Sequence, residues 1–421
     1  MNPGDYIYGV QTVLGYIFCF FALYVQVFLL ILLFRERKQI IKGTVFPENV
    51  NWPAVAITIP CWNEEDTVVK TVNSLLEIDY PKNRLIIRVI DDGSTDRTWE
   101  RVQVFQGIEN VYIMRKENGG KHTALNLAIE TATTEYVGNL DADAFISKDT
   151  LKKIMWQFLS DPEMMAVSPA VVIHDPKGFL EKAQDVEFNM FVLMKRALSS
   201  LNGIHVSQGQ FSIFRKKVFD DLGPYKNGHQ NEDLEISYRM QVNGYKIGQC
   251  HDAYVHTMAM DTLPTLYKQR LRWTYGFINN NYDYRKYLFN PKYGTFSLLS
   301  VPIGILYILS VLFSTSLLVW TIGKTAYDAI MRLIITNFHI GNLAPSPSFF
   351  FVDTRPIIFI SAILLILLIT VTSLAKKIRG QRPIPSISFV YFLILFNFIG
   401  ATWFWKAFYN TLISRKEVVW R

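Results

Sequence analysis

Asn139-Leu140-Asp141-Ala142-Asp143 ends an apolar segment that begins at Tyr136. The segment predicts a buried strand, and alternation along a strand would point Asp141 and Asp143 to the same face. Paired carboxylates are hard oxygen ligands, and Mg²⁺ usually takes one or two carboxylates together with substrate phosphates. Because D-x-D also occurs by chance at solvated strand ends, the surrounding segments decide whether this stretch marks a site.

Strands and helices alternate along the chain around this stretch. Buried strands are predicted at Val55–Pro60, Leu85–Ile90 and Val111–Met114, and helices at Asn63–Glu77 and Thr123–Thr131. Such alternation predicts an α/β fold with a doubly wound, mostly parallel, Rossmann-like sheet. Ligands of these sheets bind beyond the carboxyl ends of the strands, so the residues at those ends are the candidates for a site.

Polar side chains follow each of the four predicted strands. In chain order they are Asn63 with Glu64, Asp91 with Asp92, Lys121 behind two glycines, and Asp141 with Asp143. Asp91 or Asp92 could accept a hydrogen bond from a pyrimidine N–H, and Lys121 could meet a phosphate. Alone, D-D-G-S would be an ordinary turn and helix cap, and Lys121 an exposed loop lysine. Their convergence at one sheet edge indicates an active site.

A second acidic pair, Glu232-Asp233, follows the polar loop Lys226–Asn231 and opens an amphipathic helix that continues to Val242. Helix capping explains carboxylates at this position as well as catalysis does. To act as a general base, one of them would have to reach an acceptor hydroxyl and lie away from the metal.

Gln269-Arg270-Leu271-Arg272-Trp273 is a dense polar and aromatic cluster on a predicted helix. Arg270 and Arg272 are two residues apart, so they face different sides of a helix. One guanidinium could clamp a diphosphate, and Trp273 offers a flat face to a sugar ring. The alternative interpretation is a basic, aromatic helix at a membrane interface.

The composition argues against several classes of protein. Half of the 421 residues are hydrophobic, and the net charge of +7 includes no concentrated basic stretch that would indicate a nucleic-acid partner. Cys19, Cys61 and Cys250 are far apart and form no C-x-x-C pair, so neither a disulfide framework nor a zinc site is predicted. His251 and His256 have no evident ligand partner and are interpreted as structural.

Four apolar stretches predict membrane spans. The first, Val10–Phe34, is followed at once by Arg35, Arg37 and Lys38, which indicates that this end lies in the cytosol. The other three follow the soluble domain, at Phe296–Ile322, Ile357–Leu374 and Ile387–Phe408. The predicted domains are a transmembrane helix (1–38), a cytosolic α/β domain with C-terminal interfacial helices (39–290) and a C-terminal transmembrane region (291–421).

The charges near the C-terminus conflict with this count of spans. A cytosolic domain followed by three spans puts the C-terminus outside, whereas Arg415, Lys416 and Arg421 favour the inside. The weakly charged segment Asn342–Asp353 suits the outside, and the basic residues from Lys376 to Arg382 indicate the cytosol. Either one segment is re-entrant or interfacial, or the tail departs from the rule.

Four motifs in this order resemble the D, D, D, Q-x-x-R-W set of processive family 2 glycosyltransferases, which include cellulose, chitin, hyaluronan and poly-N-acetylglucosamine synthases. The motifs are D-D-G-S-T-D from Asp91, D-A-D from Asp141, E-D from Glu232 and Q-R-L-R-W from Gln269. Their order and spacing match from Val55 to Tyr275. Asn118-Gly119-Gly120-Lys121, with Ala124-Leu125-Asn126, looks most like the poly-N-acetylglucosamine branch.

The resemblance implies a GT-A fold, an inverting mechanism, a UDP-sugar donor and Mg²⁺ or Mn²⁺. By position it assigns uridine to Asp91 and Asp92, the metal to Asp143, the base to Asp233, the diphosphate to Arg272, and the acceptor to Trp273 and to the loop Ser207–Phe211 with its Gly209 and Gln210. The candidate donor-binding residues are Asn63, Glu64, Asp91, Asp92, Lys121, Asp141, Gln269, Arg270 and Arg272. Asp141 is in addition a candidate metal ligand, and Glu232 is a catalytic candidate together with Asp233. The third motif departs from the family in reading N-E-D from Asn231, where T-E-D is usual.

The expected function is that of an inverting glycosyltransferase embedded in the cytoplasmic membrane. It would transfer sugar from a UDP-sugar, with UDP-N-acetylglucosamine favoured, to a growing β-linked polysaccharide, and it would export the polymer through its terminal spans. Accessory export subunits are compatible with this function. The alternatives are a non-processive transferase that adds one sugar to a lipid acceptor, and a membrane scaffold in which the acidic motifs are structural.

Overall fold

The computed structural model of the chain describes residues 3–336, 356–378 and 387–414. Several residues that the topology prediction used lie outside the described residues: Asn342–Asp353, Arg379, Arg382, Arg415, Lys416 and Arg421. The chain divides into two compact units. One comprises Met1–Leu30 with Ile303–Val371, and the other comprises Ile31–Pro302 with Thr372–Arg421.

Within the described residues, eight strands form one mixed sheet in the second unit. They are β1 (Val55–Cys61), β2 (Leu85–Asp91), β3 (Val111–Arg115), β4 (Tyr136–Leu140), β5 (Ala144–Ile146), β6 (Met164–Ile173), β7 (Phe211–Arg215) and β8 (Lys246–Thr257). Their order across the sheet is β3-β2-β1-β4-β7-β6-β8-β5. The predicted parallel, Rossmann-like arrangement describes β3-β2-β1-β4, whereas β7 runs antiparallel to both β4 and β6.

The described part of the chain contains thirteen α-helices. They are α1 (Pro3–Lys42), α2 (Val68–Leu76), α3 (Thr98–Val102), α4 (Lys121–Glu130), α5 (Thr150–Ser160), α6 (Phe179–Ser199), α7 (Lys217–Leu222), α8 (Glu232–Val242), α9 (Leu263–Asp283), α10 (Val301–Ile335), α11 (Pro356–Ile378), α12 (Ile387–Ile394) and α13 (Gly400–Tyr409). A π-helical segment, Phe296–Ser300, leads into α10, and another, Leu395–Ile399, joins α12 to α13.

Burial of the central strands positions the ends that carry the polar motifs. All seven residues of β1 are buried, as expected for a parallel strand covered on both faces. On α2, Val68, Val72 and Leu75 are buried, and their spacing of four and three residues lines one face of the helix. Full burial of each such side chain stabilises the fold by about 1.5–3 kcal/mol. The resulting register pairs Cys61 with Asp91, so the polar segments after β1 and β2 begin side by side.

Asp141 and Asp143 lie in a tight turn and not on a strand. β4 ends at Leu140, β5 begins at Ala144, and the Ala144 amide donates a 3.0 Å hydrogen bond to the carbonyl oxygen of Asp141. Strand alternation, which predicted that the two carboxylates share a face, is therefore not what brings them together. The turn nevertheless keeps the carboxylates close enough for Asp141 to act electrostatically on Asp143.

Four helical segments of the described chain are long and apolar enough to cross a membrane, as in a membrane protein. They are Val10–Lys38, Phe296–Ile335, Pro356–Lys377 and Ile387–Ser414. Within the second unit, the last of these packs against the α/β domain: Trp403 of α13 is buried against Leu271 and Tyr275 of α9, and Phe179 of α6 contacts Tyr391 of α12. The helix that carries Q-R-L-R-W therefore rests on an apolar helix.

Candidate functional site

Lys121, the first residue of α4, lies at the centre of the site. Its Nζ is 2.5 Å from Asp141 Oδ1 and 3.3 Å from Glu232 Oε1, and it donates a 3.2 Å hydrogen bond to the carbonyl oxygen of Gly209. Burial disfavours the ammonium form, but the charges of Asp141 and Glu232 outweigh it and raise the pKa of Lys121. The structure thus brings together four predicted residues from four separate parts of the chain.

Asp141, Asp143 and Glu64 form a cluster of half-buried carboxylates. Burial, followed by repulsion from Asp141 and Glu64, raises the pKa of Asp143 to about 7, and burial also raises the pKa of Glu64. Among the described residues, no three His, Cys, Asp or Glu side chains are arranged to hold a metal ion by themselves. Asp141 and Asp143 offer the hard oxygen donors that suit Mg²⁺ or Mn²⁺, and a cation would relieve their repulsion.

Asp92 organises the glycine loop that leads to Lys121. Its carboxylate accepts hydrogen bonds from the amides of Gly119 at 3.1 Å and Gly120 at 2.8 Å, and it lies 2.6 Å from Lys116 Nζ. The residue is only 3% exposed, so these contacts offset the cost of burying its charge. Uridine binding by Asp92 stays a prediction, while the role visible in the structure is to shape the loop.

Asp91 and Asn63 join the ends of β1, β2 and β3. Asp91 Oδ2 is 2.9 Å from Arg115 Nε, and its Oδ1 accepts a 3.1 Å hydrogen bond from the Ser94 amide. Asn63 has a φ of +56°, and its Oδ1 accepts a 2.9 Å hydrogen bond from the Thr95 amide. The D-D-G-S-T-D turn is therefore held from both sides, with the exposed Asn63 at the edge where donor binding was predicted.

The acceptor-side loop contacts the predicted base directly. The Gly209 amide donates a 3.0 Å hydrogen bond to Asp233 Oδ2. A Cβ atom at Gly209 would stand 3.0 Å from Asp233 Oδ2 and 3.3 Å from Lys121 Nζ, so a side chain would crowd both groups. Burial, followed by the charge of Glu232, raises the pKa of Asp233. A raised pKa makes this carboxylate a better proton acceptor than an exposed aspartate.

The turn that precedes the E-D pair is strained and is held by α9. Gly228, His229 and Gln230 have φ values of +56°, +56° and +64°. For the two residues with a Cβ, this left-handed conformation costs about 1–2 kcal/mol each. From α9, Arg272 Nη1 donates a 2.7 Å hydrogen bond to the Gln230 carbonyl oxygen, and Asn280 Nδ2 donates one of 2.8 Å to the Gly228 carbonyl oxygen. The helix with Q-R-L-R-W thus holds the backbone that leads into the acidic pair.

The two arginines of Q-R-L-R-W have different partners, as their spacing predicted. Arg272 acts electrostatically on the carboxylates of Asp141 and Asp233. Arg270 instead turns to α6, where its Nη2 lies 2.5 Å from Glu187 Oε2. Arg272 is therefore the arginine that faces the carboxylates, whereas the guanidinium of Arg270 is buried against α6. Donor binding by Arg270 stays a prediction.

Trp273 and Gln269 lie at the edge of this arrangement. Trp273 is half-buried, with the Arg270 guanidinium 4.2 Å from its ring centroid, and it packs against Phe188. Gln269 is also half-buried, and its side chain forms no hydrogen bond within the described part of the chain. Acceptor binding by Trp273 and donor binding by Gln269 stay predictions.

Sequence reasoning missed four residues that hold the site. Arg115 and Lys116 pair with the two aspartates of D-D-G-S. Asn139 Nδ2 donates a 2.5 Å hydrogen bond to the Gly209 carbonyl oxygen, and Glu187 pairs with an arginine of α9. Two adjacent basic residues after a predicted strand, beside an acidic turn, were a usable signal for the first pair. Asn139 and Glu187 carry no such local signal.

The remaining acceptor-side residue, Gln210, completes the link between the two acidic pairs. Its carbonyl oxygen accepts a 2.9 Å hydrogen bond from the Asp141 amide, while the neighbouring Gly209 binds Asp233. A single loop before β7 therefore joins the D-A-D turn to the start of α8. Chemically, the arrangement offers a carboxylate pair for a cation, two positive groups for an anion and a half-buried carboxylate for a proton.

Residues 56–223 match the family described as Glycosyl transferase family 2. Over 224 residues the chain is 30% identical to the poly-beta-1,6-N-acetyl-D-glucosamine synthase of Staphylococcus aureus strain MSSA476, covering 53% of this chain and 54% of that protein. Over 270 residues it is 30% identical to the enzyme of the same name from Staphylococcus epidermidis, covering 64% and 62%. The matched part thus spans between half and two thirds of these relatives.

The fold is similar to that of the mannosyltransferase PcManGT from Pyrobaculum calidifontis, solved in complex with GDP-Man and Mn²⁺. The TM-score is 0.59 at 18% sequence identity, and the match covers 95% of this chain and 99% of that one. At this identity the likeness concerns the fold alone, and it confirms the predicted GT-A architecture.

Proposed function

We propose that the protein transfers N-acetylglucosamine from UDP-N-acetylglucosamine to a growing β-linked polysaccharide. The premise is that residues 56–223 match the Glycosyl transferase family 2 model. Similarity to poly-beta-1,6-N-acetyl-D-glucosamine synthases supports this choice of donor and product. One observation carries the proposal: Lys121 Nζ bridges Asp141 at 2.5 Å and Glu232 at 3.3 Å. The donor-side and acceptor-side acidic pairs therefore meet at a single ammonium group.

The proposed reaction is a displacement with inversion at the anomeric carbon. The acceptor hydroxyl oxygen forms a bond to this carbon while Asp233 takes the hydroxyl proton. The bond between the anomeric carbon and the diphosphate oxygen breaks, and its electron pair leaves with UDP. Asp233 suits the role of base because it is buried beside Glu232, and because the Gly209 amide orients its carboxylate.

Positive charge is available where the leaving diphosphate gains negative charge. Lys121 and Arg272 both act on Asp141, so both lie near the donor-side pair. Preorganised positive groups at such a point stabilise the transition state. Asp141 and Asp143 would hold Mg²⁺ or Mn²⁺, and a bound cation supplies further neutralisation of the diphosphate. Asp91 and Asp92, at the end of β2, would receive the uridine.

We further propose that the α/β domain faces the cytosol, that the enzyme works in the cytoplasmic membrane, and that its apolar helices export the polymer. Arg35, Arg37 and Lys38 directly after the first apolar stretch support the orientation. The packing of α13 on α9 supports export, because it sets an apolar helix against the helix that carries Trp273. Repeated transfer to one chain end would follow from an acceptor held between these elements.

The test is nucleotide release by the full-length protein, purified in detergent, with Mg²⁺ or Mn²⁺ and a panel of UDP-sugars and GDP-mannose. We expect release from UDP-N-acetylglucosamine, loss of release with a chelator, and a long product that a hexosaminidase degrades. A lipid-soluble monosaccharide product would favour the non-processive alternative. Absence of release from every donor would overturn the proposal.

A further inference from the structure

The side chain of Asn231 does not cap the helix that it precedes. Asn231 is the residue before α8, a position where asparagine commonly accepts a hydrogen bond from the first turn of its own helix. No such bond forms here. The side-chain amide donates instead to α9, to the carbonyl oxygens of Trp273 at 3.2 Å and Arg272 at 3.5 Å. Because Asn231 is only 6% exposed, water competes little for these contacts. The first residue of N-E-D is therefore bound to the helix that carries Q-R-L-R-W.

A glycine of α9 makes room for this amide. Gly276 lies in the interior of α9 (Leu263–Asp283), where glycine is less favourable than alanine because it loses more backbone entropy on folding. A Cβ atom at Gly276 would stand 1.9 Å from Asn231 Nδ2 and 2.6 Å from Asn231 Cγ. The Asn231 side chain would then have to leave its carbonyl partners. The glycine therefore has a packing role, which is to let Asn231 lie directly on the backbone of α9.

Asn231 links α9 to the proposed base through the backbone. The strained turn Gly228–Gln230 receives two hydrogen bonds from side chains of α9 on its carbonyl oxygens. The amide of Asn231 runs the other way, from the end of this turn to carbonyl oxygens of α9. Asp233 follows two residues later, and its Oδ2 accepts a 3.0 Å hydrogen bond from the Gly209 amide. The carboxylate of Asp233 is thus held by the loop before β7, while the backbone that leads to it is held by α9.

From this arrangement we propose that Asn231 and Gly276 form a lock that positions Asp233 for proton transfer. The inference rests on the proposed glycosyl transfer, in which Asp233 is the base. Asn231 is a positioning residue, since it acts on Asp233 through the backbone of N-E-D. A misplacement of about 1 Å in a reacting group can cost about 10²-fold in rate. Threonine, the usual residue at this place in the motif, has one O–H donor where asparagine has two N–H donors. The lock is therefore a property of this chain's own sequence.

The test is a double-mutant cycle of Asn231→Ala and Gly276→Ala in the full-length protein, purified in detergent, with UDP-N-acetylglucosamine as donor. Gly276→Ala should lower kcat for UDP release by about 10²-fold, because the added Cβ displaces Asn231. Asn231→Ala should lower kcat less, by about tenfold, because it removes hydrogen bonds without adding a clash. The double variant should recover to the kcat of Asn231→Ala, since the shorter side chain at position 231 leaves room for the added Cβ. The KM for the donor should be unchanged throughout.

Thermal unfolding gives a readout that does not depend on turnover. Gly276→Ala should unfold at a lower temperature than the wild type, although alanine favours a helix interior, and adding Asn231→Ala should reverse most of that loss. Gly323→Ala on α10 is the matched glycine control. A Cβ at Gly323 would meet no heavy atom of the described chain within 4 Å apart from its chain neighbours and its own helix backbone. Asn243→Ala is the asparagine control and should keep the wild-type kcat. The exposed Asn243 lies at the other end of α8 and donates its side-chain amide to the Arg239 carbonyl oxygen at 2.7 Å.

The outcomes separate the lock from the proposed function. Additive effects of the two changes on kcat and on unfolding would show that Asn231 and Gly276 are not coupled. If Asn231→Ala lowers the unfolding temperature but keeps the wild-type kcat, or raises the KM for the donor as much as it lowers kcat, the positioning role is wrong. If Gly276→Ala fails to fold while the double variant folds, the two residues are coupled and Asn231→Ala supplies the kcat. A wild-type protein that releases no UDP overturns the proposed function and the positioning role, whereas the unfolding cycle still decides the contact.

Discussion

The guanidinium of Arg270 lies 2.5 Å from the carboxylate of Glu187; the Arg270 side chain is 4% exposed and that of Glu187 is 12% exposed. Burial raises the pKa of Glu187 to about 7 against the opposing charge of Arg270. The pair joins α6 to α9 and holds the arginine over the ring of Trp273. The first arginine of Q-R-L-R-W thus holds the helix in place, and the second faces the site.

Arg270→Ala should destabilise the protein more than it impairs binding of the nucleotide. Removing one partner leaves the Glu187 charge buried, which typically costs about 3–5 kcal/mol in the free energy of unfolding. Arg272→Ala should show the reverse, with a modest loss of stability and a fall in transfer rate of about 10²-fold. Thermal unfolding and UDP release measure the two effects. Equal losses of stability in both variants would contradict the assignment.

Asp233→Asn should lower transfer by about 10²- to 10⁴-fold while UDP binding stays close to that of the wild type. The asparagine can keep one acceptor oxygen for the amide of Gly209 or Leu234, but it cannot take a proton. Isothermal titration with UDP and a transfer assay on the same preparation separate binding from chemistry. A collapse of UDP affinity would show that Asp233 acts on the donor.

Asp143→Ala should remove the response to Mg²⁺ or Mn²⁺ together with the activity. The substitution removes one of the two carboxylates of the D-A-D turn, the one whose pKa is raised to about 7 by burial and then by repulsion from Asp141 and Glu64. Binding of Mn²⁺ in the presence of UDP, followed by electron paramagnetic resonance, gives a readout that does not depend on turnover. Asp149→Ala is a control, because that carboxylate pairs with Lys153 outside the site. An Asp143→Ala protein that still bound Mn²⁺ with UDP would move the cation elsewhere.

Lys195 is 6% exposed, so Lys195→Met should stabilise the protein against unfolding, and the gain should depend on pH. Burial lowers the pKa of Lys195 from 10.5 to about 7, against the attraction of Asp233. Below pH 7 the lysine is charged in both the folded and unfolded states, so the folded state bears the full free-energy cost of burying the ammonium charge. This cost disappears as the pH rises toward 10.5, the ordinary pKa of a lysine. His205 stays neutral across this range because burial and the charge of Lys195 lower its pKa to about 4. The advantage of the variant in thermal unfolding should therefore be largest at pH 7 and below, and a constant advantage would exclude a charged Lys195.

Much of the fold could be predicted because its strands are short, buried and separated by turn residues. β4 has the predicted limits, Tyr136–Leu140, and β1 and β2 extend the predicted strands by one residue each. The antiparallel β7 was not predicted. Its place between β4 and β6 depends on pairing with strands distant in the chain, and local pattern contains no information about that pairing.

The candidate site was predictable where several motifs end at one sheet edge. Lys121 and Asp141 were both expected there, and their side chains are in contact. Glu187 and Asn139 were not expected, since a single glutamate or asparagine gives no local sign of a partner that lies far away in the chain. Arg270 was expected to bind the donor, and its pairing with Glu187 on the distant helix α6 could not be predicted from its neighbours in the chain.

The sequence by itself determined the α/β alternation, the apolar helices and the set of polar residues at the strand ends. Hydrophobic periodicity and turn chemistry are local, so they can be read from neighbouring residues. Three-dimensional packing, by contrast, determines which arginine acts on the carboxylates and which loop joins the D-A-D turn to Asp233. Those relationships are set by packing between helices and loops far apart in the chain, where burial decides which charges must find a partner.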